Sequence, residues 1–379
     1  MGVSVNLPRM RPLSARKSAI LSVLDVGTTK IVCLIARLDP IEPGQPSRGR
    51  THGCRILGIG HQRSRGMKAG QVVDMEEAET AIRLAVDAAE RMAGVQVDNV
   101  IVCASGGRIS SQHFQAKVAV GDRSVGEPDI HRVLEATCAR SARDGRAVLH
   151  SLPTSFSVDG AENIRDPKGM IGDELAAHLH VVSTDAAAVR NLGLAVERCH
   201  LTVEAFVASP YASALATIGD DEAEIGATVI DFGGGSTSIA VFAGGALIHM
   251  DCVAVGGNHV TLDVARGLNV RLNGAERLKT LYGSAILAPA DERETIAIEH
   301  VGDDAGQTTH LPRSQLVRII RPRVEEIVEL VRDRLRQQGR PLHAGSRVVL
   351  TGGASQLTGL PETVRRIVGQ VMDFVRVGR

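Results

Sequence analysis

Two stretches of this sequence share one design, and the repetition constrains the fold more than anything else in the chain. Val229-Ile230-Asp231-Phe232-Gly233-Gly234-Gly235-Ser236-Thr237-Ser238-Ile239-Ala240-Val241 is an apolar run ending in Asp, a turn of small residues, then a second apolar run. Leu21-Ser22-Val23-Leu24-Asp25-Val26-Gly27-Thr28-Thr29-Lys30-Ile31-Val32-Cys33-Leu34 repeats it about half a chain earlier. Each reads as a β-hairpin with a carboxylate at the end of its first strand. Consecutive glycines let backbone N–H groups approach an anion closely, and turned amides make anion-binding concavities. Asp25 and Asp231 would then stand where a strand-end carboxylate can hold Mg²⁺, directly or through water. One such turn alone is equally an ordinary hairpin. Two of them predict a duplicated fold that holds a polyphosphate between its halves.

At 379 residues the chain suits two domains or a few subdomains. Lys+Arg and Asp+Glu both number 43, so no global field points to nucleic acid or an anionic membrane. Aromatic residues are 2% and Trp is absent, which argues against base or carbohydrate stacking. The cysteines at 33, 54, 103, 138, 199 and 252 form no CxxC pair and read as reduced core residues of a cytosolic protein. The N-terminal Arg9, Arg11, Arg16 and Lys17 lack a following apolar core, so residues 1–18 read as a flexible basic arm rather than a secretory signal. No apolar run is long enough to span a bilayer.

Along the chain, the first hairpin covers about 20–37, a Pro/Gly-rich loop 39–53, and a strand 56–61. Asp74 begins a helix with Glu77 three residues on, and Gly94 ends it; Ala78, Ile82, Ala85, Ala89 and Met92 form the predicted buried stripe. Residues 97–105 read as a strand, and from there to about Ser183 the texture changes: short strands (114–120, 148–158, 178–182) around a helix near 129–144 predict a small α+β insertion. Residues 160–172 read as a polar loop. Asp185 is expected to cap a helix to about 199, and Pro210 starts a helix rich in Ala and Ser. Residues 220–224 read as an acidic surface loop, 288–311 as an exposed hairpin and 314–338 as a long helix that Pro322 kinks or begins. The inner side of that helix carries Leu316, Ile319, Ile320, Val324, Ile327, Val328, Val331 and Leu335. A last strand is expected at 372–377.

Two further sites stand out. Arg347–Thr351 runs into Gly352-Gly353-Ala354-Ser355, a strand–Gly-Gly–helix unit where backbone approaches a planar or phosphate ligand. Glu276 and Lys279 share one helix face, and spacing alone favours a surface ion pair over a pair of ribose and base ligands.

The ordered motifs LDVGTTK (24–30), IDFGGGSTS (230–238) and VVLTGGAS (348–355) resemble those of the actin/Hsp70/sugar-kinase superfamily. Within it, NIRDPKGMIGDELAAHLHVV (163–182), VASPYASALATI (207–218), AVGGNHVTLDVARGL (254–268) and AERLKTLYG (275–283) resemble the FtsA family of bacterial cell-division proteins, over about residues 19–379. The resemblance implies an α/β, actin-like (ribonuclease H-like), duplicated two-lobe fold with a small α+β insertion subdomain. Its lobes would be 19–97 with 183–215 (1A), 98–182 (1C), 216–258 with 336–379 (2A) and 259–335 (2B).

It implies ATP with Mg²⁺ at Asp25 and Asp231. Gly27, Thr28, Thr29 and Lys30 would hold phosphates from one lobe, and Gly233, Gly234, Gly235, Ser236 and Thr237 from the other. Glu276 and Lys279 would meet ribose and adenine, and Gly352, Gly353, Ala354 and Ser355 would cradle the adenosine. Members of the family form actin-like filaments and bind the C-terminal peptide of the tubulin-like protein FtsZ through the lobe at 259–335. They meet other division proteins, here expected through the insertion at 98–182. They sit on the cytoplasmic face of the inner membrane at the division site through a C-terminal amphipathic helix, which this chain is expected to lack, together with the helix that closes the first lobe. No nucleic acid is expected.

The family's efficient ATPase relatives place a Gln or Glu where this chain has Ala208-Ser209-Pro210. None of these orients water well, so at most slow Mg²⁺-dependent hydrolysis is expected. The competing readings are a pilus-assembly ATPase of the PilM type, a small-molecule kinase and an Hsp70-like chaperone. The kinase needs a carboxylate base for which the sequence offers no candidate. The chaperone needs a C-terminal peptide-binding domain.

Overall fold

The computed structural model describes residues 7–8, 10, 13–41, 51–302, 308–337, 347–369 and 374–376. Its Cα framework divides into two compact units, Met1–Leu215 with Ala240–Asp251, and Ala216–Ile239 with Cys252–Arg379. Parts of the N-terminal arm, the 39–53 loop, the 288–311 hairpin and the final strand expected at 372–377 lie outside the described residues.

The first unit opens with β1 (Ala19–Val26), antiparallel to β2 (Lys30–Pro40), with Asp25 opposite Val32. Period-two alternation puts Leu24, Val26, Ile31, Cys33 and Ile35 in the core. β3 (His52–Arg63) continues the meander, and a short β4 (Met67–Lys68) and β5 (Gln71–Val72) lead into α1 (Met75–Ala93). The Asp74 carboxylate accepts the Glu77 N–H at 3.0 Å, satisfying one orphan donor. Gly94 closes the helix in the left-handed region, φ 67°. Ala78, Ile82, Ala85 and Ala89 are buried as expected, but Met92 is 65% exposed. The stripe's next i+4 step from Ala89 is Ala93, which packs on the core, while the Met92 sulfur lies over the β3 backbone and accepts the Ile59 N–H at 3.3 Å.

β6 (Asn99–Ala104) is parallel to β1, so residues 99–104 belong to the first sheet although the sequence grouped them with the insertion. The insertion itself consists of β7 (Ser110–Ser124), α2 (Glu127–Ser141), β8 (Arg146–Val158), β9 (Ala161–Ile164) and β10 (Ile171–Asp185). Its strands are longer than composition suggested, and β9 occupies part of the presumed 160–172 loop by pairing with β8. β10 lies between β7 and β8, antiparallel to both. Val120, Val125, Val133, Phe156, Val158, Leu175 and Ala177 form a separate core there.

α3 (Ala186–Glu197) begins after Asp185, whose side chain does not cap it; the carboxylate instead takes the Arg146 guanidinium at 3.0 Å. β11 (Thr202–Ala208) is parallel to β6, and α4 (Ser209–Thr217) follows. The acidic stretch forms a helix, α5 (Asp220–Ile225), because the Glu222 carboxylate accepts the Gly219 N–H at 2.7 Å and pairs with Arg347.

The second unit, which already includes α5, continues with β12 (Ala227–Phe232) and the start of β13 (Thr237–Ala243); the rest of β13 and β14 (Ala246–Val253) as far as Asp251 group with the first unit. Next come α6 (Gly257–Gly267), α7 (Leu272–Tyr282), the antiparallel pair β15 (Thr295–Ile298) and β16 (Thr309–Pro312), and α8 (Arg313–Gln337). The β15–β16 hairpin buries one face through Ile296 and Ile298, so it is not wholly exposed. α8 runs through Pro322. That residue is exposed, so the hydrogen bond it forfeits lies on the solvent side. The predicted inner side of α8 is buried, except that Ile319 is half-buried and Val317 joins it. β17 (Arg347–Thr351), parallel to β12, leads to α9 (Leu360–Val368) and β18 (Phe374–Arg376).

Strand order makes the duplication explicit. β11-β6-β1-β2-β3 is matched by β18-β17-β12-β13-β14, with parallel pairs and the leading hairpin at corresponding places. In both series the Asp-bearing strand is the central one. Six of the expected cysteines remain free thiols; Cys33 and Cys103 are buried, but Cys54 is exposed on β3. No helix among the described residues is long and apolar enough to cross a membrane.

Candidate functional site

In the first unit, Asp25 ends β1 and stands beside Cys103 of β6. Burial, with the Asp25 charge as the lesser cause, pushes the Cys103 thiol up to about 12, so it stays protonated. The turn closes with the Gly27 N–H donating to the Lys30 carbonyl at 3.0 Å. A Cβ on Gly27 would come within 2.9 Å of that oxygen. Thr28 is anchored, its hydroxyl accepting the Gly70 N–H at 2.9 Å, and the Thr29 carbonyl accepts the Ser64 N–H at 3.0 Å. Thr29 and Lys30 are exposed, so Lys30 supplies the turn's cationic charge.

In the second unit the corresponding turn has the same steric signature. A Cβ on Gly233 would stand 2.8 Å from the Ser236 carbonyl. Here the turn is braced by the start of α6: the Gly257 and Asn258 N–H groups donate to the Gly233 and Gly234 carbonyls at 2.9 and 2.8 Å. In a trans peptide the C=O and N–H lie in one plane and point in opposite directions. The N–H groups of Gly234 and Gly235 are therefore directed away from α6, as an anion cradle requires. Thr237 is not an exposed ligand; it is fully buried and donates to the Val255 carbonyl at 2.8 Å. Ser236 is half-buried.

Gly352 completes this cradle from the end of β17. Its φ is +87°, and a side chain there would overlap the Asp231 carboxylate and the Phe232 carbonyl. Gly353 is exposed, Ala354 is half-buried, and Ser355 is buried with its hydroxyl turned back to the Gly352 carbonyl at 2.7 Å. Ser355 thus shapes the turn. A Cβ on Gly257 would meet Ala354 at 3.0 Å and the Lys279 ammonium at 3.6 Å, so the α6 start, the β17 turn and α7 converge at one place.

Glu276 and Lys279 are joined at 2.7 Å, as the surface-pair reading required, but not only to each other. The Lys279 ammonium also donates to the Thr261 hydroxyl at 2.8 Å and to the Gly257 carbonyl at 3.1 Å, and Thr261 donates to the Glu276 carboxylate. The pair is a clamp between α7 and α6. Lys279 is 13% exposed, and its three donors have three acceptors; Glu276 is 52% exposed. Sequence reasoning missed Thr261, which lies fifteen residues from Glu276 on another helix and carries no local signal.

At the crossover, the Ala208 N–H donates to His150 Nε2 at 2.9 Å, and the His150 ring lies 5.0 Å from that of Tyr211. Burial lowers His150 to about 4, so it is neutral near pH 7 with its proton on Nδ1. His150 comes from β8 of the insertion and was not anticipated there.

The oxygen chemistry of Asp25 and of Asp231 suits a hard cation such as Mg²⁺, and glycine at 27 and at 233 keeps each turn free of a side chain where it closes on its own carbonyl. Comparison with known proteins places the chain in a family. A model described as cell division protein FtsA matches residues 228–379, and one described as an SHS2 domain inserted in FtsA matches 106–183. Cell division protein FtsA of Agrobacterium fabrum is 52% identical over 374 residues, covering 98% of this chain and 84% of that protein. Among solved structures, a chain of the PilM–PilN type IV pilus biogenesis complex aligns with TM-score 0.61 at 15% identity, over 94% of this chain and 88% of that one. MreB5 of Spiroplasma citri bound to ADP aligns with TM-score 0.52 at 13% identity, over 95% and 92%. The duplicated sheets, the inserted subdomain and the sequence identity agree: the chain belongs to the FtsA family of cell division proteins, with an actin-like fold.

Proposed function

We propose that this chain is a nucleotide-dependent division scaffold. It binds ATP with Mg²⁺, assembles into filaments, and links the FtsZ ring to the inner membrane on its cytoplasmic face. The observation that carries the nucleotide part is the pair of strand-end aspartates, each followed by a turn too tight for a side chain. Asp25 and Asp231 are the proposed Mg²⁺ ligands; when bound, the ion neutralises phosphate charge. Lys30 adds charge from the first turn, and the amides of Gly234 and Gly235 add dipoles from the second.

Hydrolysis is proposed to be slow. Ala208, Ser209 and Pro210 offer no water-orienting carboxylate or amide, and the nearby His150 uses its Nε2 lone pair on the Ala208 N–H. The FtsZ C-terminal peptide is assigned to 259–335, and other division proteins to the insertion. Family membership supports both assignments and favours division over pilus assembly.

The test is ATP affinity and phosphate release on one sample, with and without Mg²⁺, followed by capture of the FtsZ tail peptide. Mg²⁺-dependent binding with little release is the expected outcome. Turnover faster than about one per second, the low end of ordinary enzymes, would sink the slow-hydrolysis reading. Phosphoryl transfer to a panel of sugars would revive the kinase.

A further inference from the structure

We propose that His259 is a positioning residue for the second glycine turn, and that a proton taken up by its ring releases the turn and weakens the binding of a polyphosphate there. The inference rests on the reading of Gly233–Ser236 as a phosphate turn given above.

The turn is shaped from behind by the segment Val255–Asn258. The Gly257 and Asn258 N–H groups are spent on the Gly233 and Gly234 carbonyls at 2.9 and 2.8 Å. Gly256 nests against the same turn: a Cβ there would meet the Gly233 and Gly234 carbonyl oxygens at 2.5 and 2.9 Å and the Ser236 nitrogen at 2.9 Å. With so little space between them, the turn moves when Gly256 moves. The Thr237 hydroxyl donates to the Val255 carbonyl at 2.8 Å, and the Lys279 ammonium donates to the Gly257 carbonyl at 3.1 Å. His259 is the acceptor in this set: its Nδ1 takes the Gly256 N–H at 3.1 Å. The His259 N–H in turn donates to the Gly256 carbonyl at 3.0 Å. Residue and cap are thus tied reciprocally, with an imidazole at the position where a capping box ordinarily has Glu or Gln.

Imidazole at this position makes the tie sensitive to protons. To accept, Nδ1 must carry a lone pair, so the neutral ring holds its proton on Nε2. A second proton goes to Nδ1, turns the acceptor into a donor and aims it at the Gly256 N–H. It also sets a positive charge in the first turn of α6, where the helix dipole disfavours it. Gly256 is buried, so its N–H loses its partner at a cost. The charged groups that the neighbouring helices bring against α6 are committed elsewhere: Lys279 and Glu276 of α7 to Thr261, and Arg323 of α8 to Asp263 and Glu326. On the turn's own strand the charged group is Asp231, which stands against Gly352. The Gly234 and Gly235 N–H groups are directed away from α6, whereas the ring belongs to α6. Its charge therefore acts on the support of the turn rather than on the phosphate.

The experiment follows equilibrium binding of ATP with Mg²⁺ to the full chain from about pH 8 to about pH 5, the range in which histidines ordinarily titrate, for the wild type and His259→Gln. Glutamine keeps an acceptor for the Gly256 N–H and gains no proton. Across that range the wild type should lose about tenfold more affinity than the variant. Protonation of ATP and of the other histidines is common to both proteins and cancels in the difference. His259→Leu, which lacks the acceptor, should bind weakly already at the alkaline end and follow the shallow slope of the glutamine variant. Hydrogen exchange of residues 255–258 at neutral pH without nucleotide should be faster in His259→Leu than in the wild type, and unchanged in His259→Gln. If the leucine variant does not fold, the comparison of wild type with His259→Gln carries the test. Parallel pH profiles for those two proteins would overturn the proposal. So would a wild type whose affinity rises in acid relative to the variant, because the ring would then attract phosphate directly. Equal exchange in all three proteins, with ATP binding intact, would overturn the proposal alone. A wild type that binds no ATP at any pH, with the exchange difference present, would overturn the phosphate reading and the proposal with it.

Discussion

The two Asp–Gly turns share a skeleton and differ in how they are held. Both place Asp at the end of a central strand, and both place a glycine two residues on, against a carbonyl five residues beyond the Asp. The first turn is held by the Thr28 hydroxyl on the Gly70 N–H as well as by the Ser64 N–H on the Thr29 carbonyl, and presents the charge of Lys30. The second is held by backbone, Gly233 and Gly234 to the start of α6, and has no charged residue between Gly233 and Thr237. What the duplication keeps is steric. What it lets diverge is electrostatic: one turn supplies a point charge, the other oriented amides.

The largest expected effect lies where the second turn leans on β17. Gly352→Ala combines a left-handed φ with overlap on Asp231 and Phe232, and should cost about 3 kcal/mol or more. Gly353→Ala, with open space at the Cβ position, should change the urea midpoint little. Similar midpoints for the two variants would remove Gly352 from the cradle.

Next come the matched glycines. Gly27→Ala and Gly233→Ala should each cost about 2 kcal/mol, since each new Cβ would stand at 2.9 or 2.8 Å from a backbone oxygen. If only one destabilises, the two turns are not steric equivalents.

Acid should strain the first unit through His150. His150 falls from 6.5 to about 4 by burial, so the folded state binds fewer protons than the unfolded one between those values. Its contribution is complete above about pH 6.5 and is lost as pH falls toward 4, on the order of 2 kcal/mol after allowing for partial exposure. His150→Gln keeps an acceptor for the Ala208 N–H without a proton to gain. Chemical unfolding from pH 7 to 4 should therefore fall more steeply for the wild type than for the variant. Parallel curves would exclude His150 as the cause.

The smallest effects are on affinity. Lys30→Ala should weaken ATP about tenfold, since the lost contact is to a charged group. Ser236→Ala, at the matched position, should change it by about threefold or less, since a neutral contact is worth less. Asp231→Ala should weaken ATP chiefly when Mg²⁺ is present. Equal affinity of that variant and the wild type in Mg²⁺ would take Asp231 out of the site, and equal losses at Lys30 and Ser236 would erase the contrast between the turns.

Much of this was legible in the sequence because the signals are local. Apolar runs on either side of a small-residue turn located both hairpins, and Asp74 with Gly94 bracketed α1. Asp, Gly and small residues at fixed offsets marked the turns. The reading failed where a residue's role depends on a distant partner. Asp185 looked like a cap until Arg146 claimed it, and residues 220–224 looked like loop until Glu222 found Gly219 and Arg347. Thr237 and Ser355 were read as ligands, but their hydroxyls serve the backbone.

The sequence by itself determined the duplication, the family and the places where carboxylate and glycine must meet. Those follow from chirality, side-chain period and the space a Cβ needs, which act within a few residues. Only the tertiary structure decided that Lys279 is a clamp, that Thr261 stands between it and Glu276, and that His150 from the insertion caps the Ala208 amide. Each of these joins side chains or backbone from separate elements, and hydrogen bonding across them is set by how the elements pack rather than by any pattern along the chain.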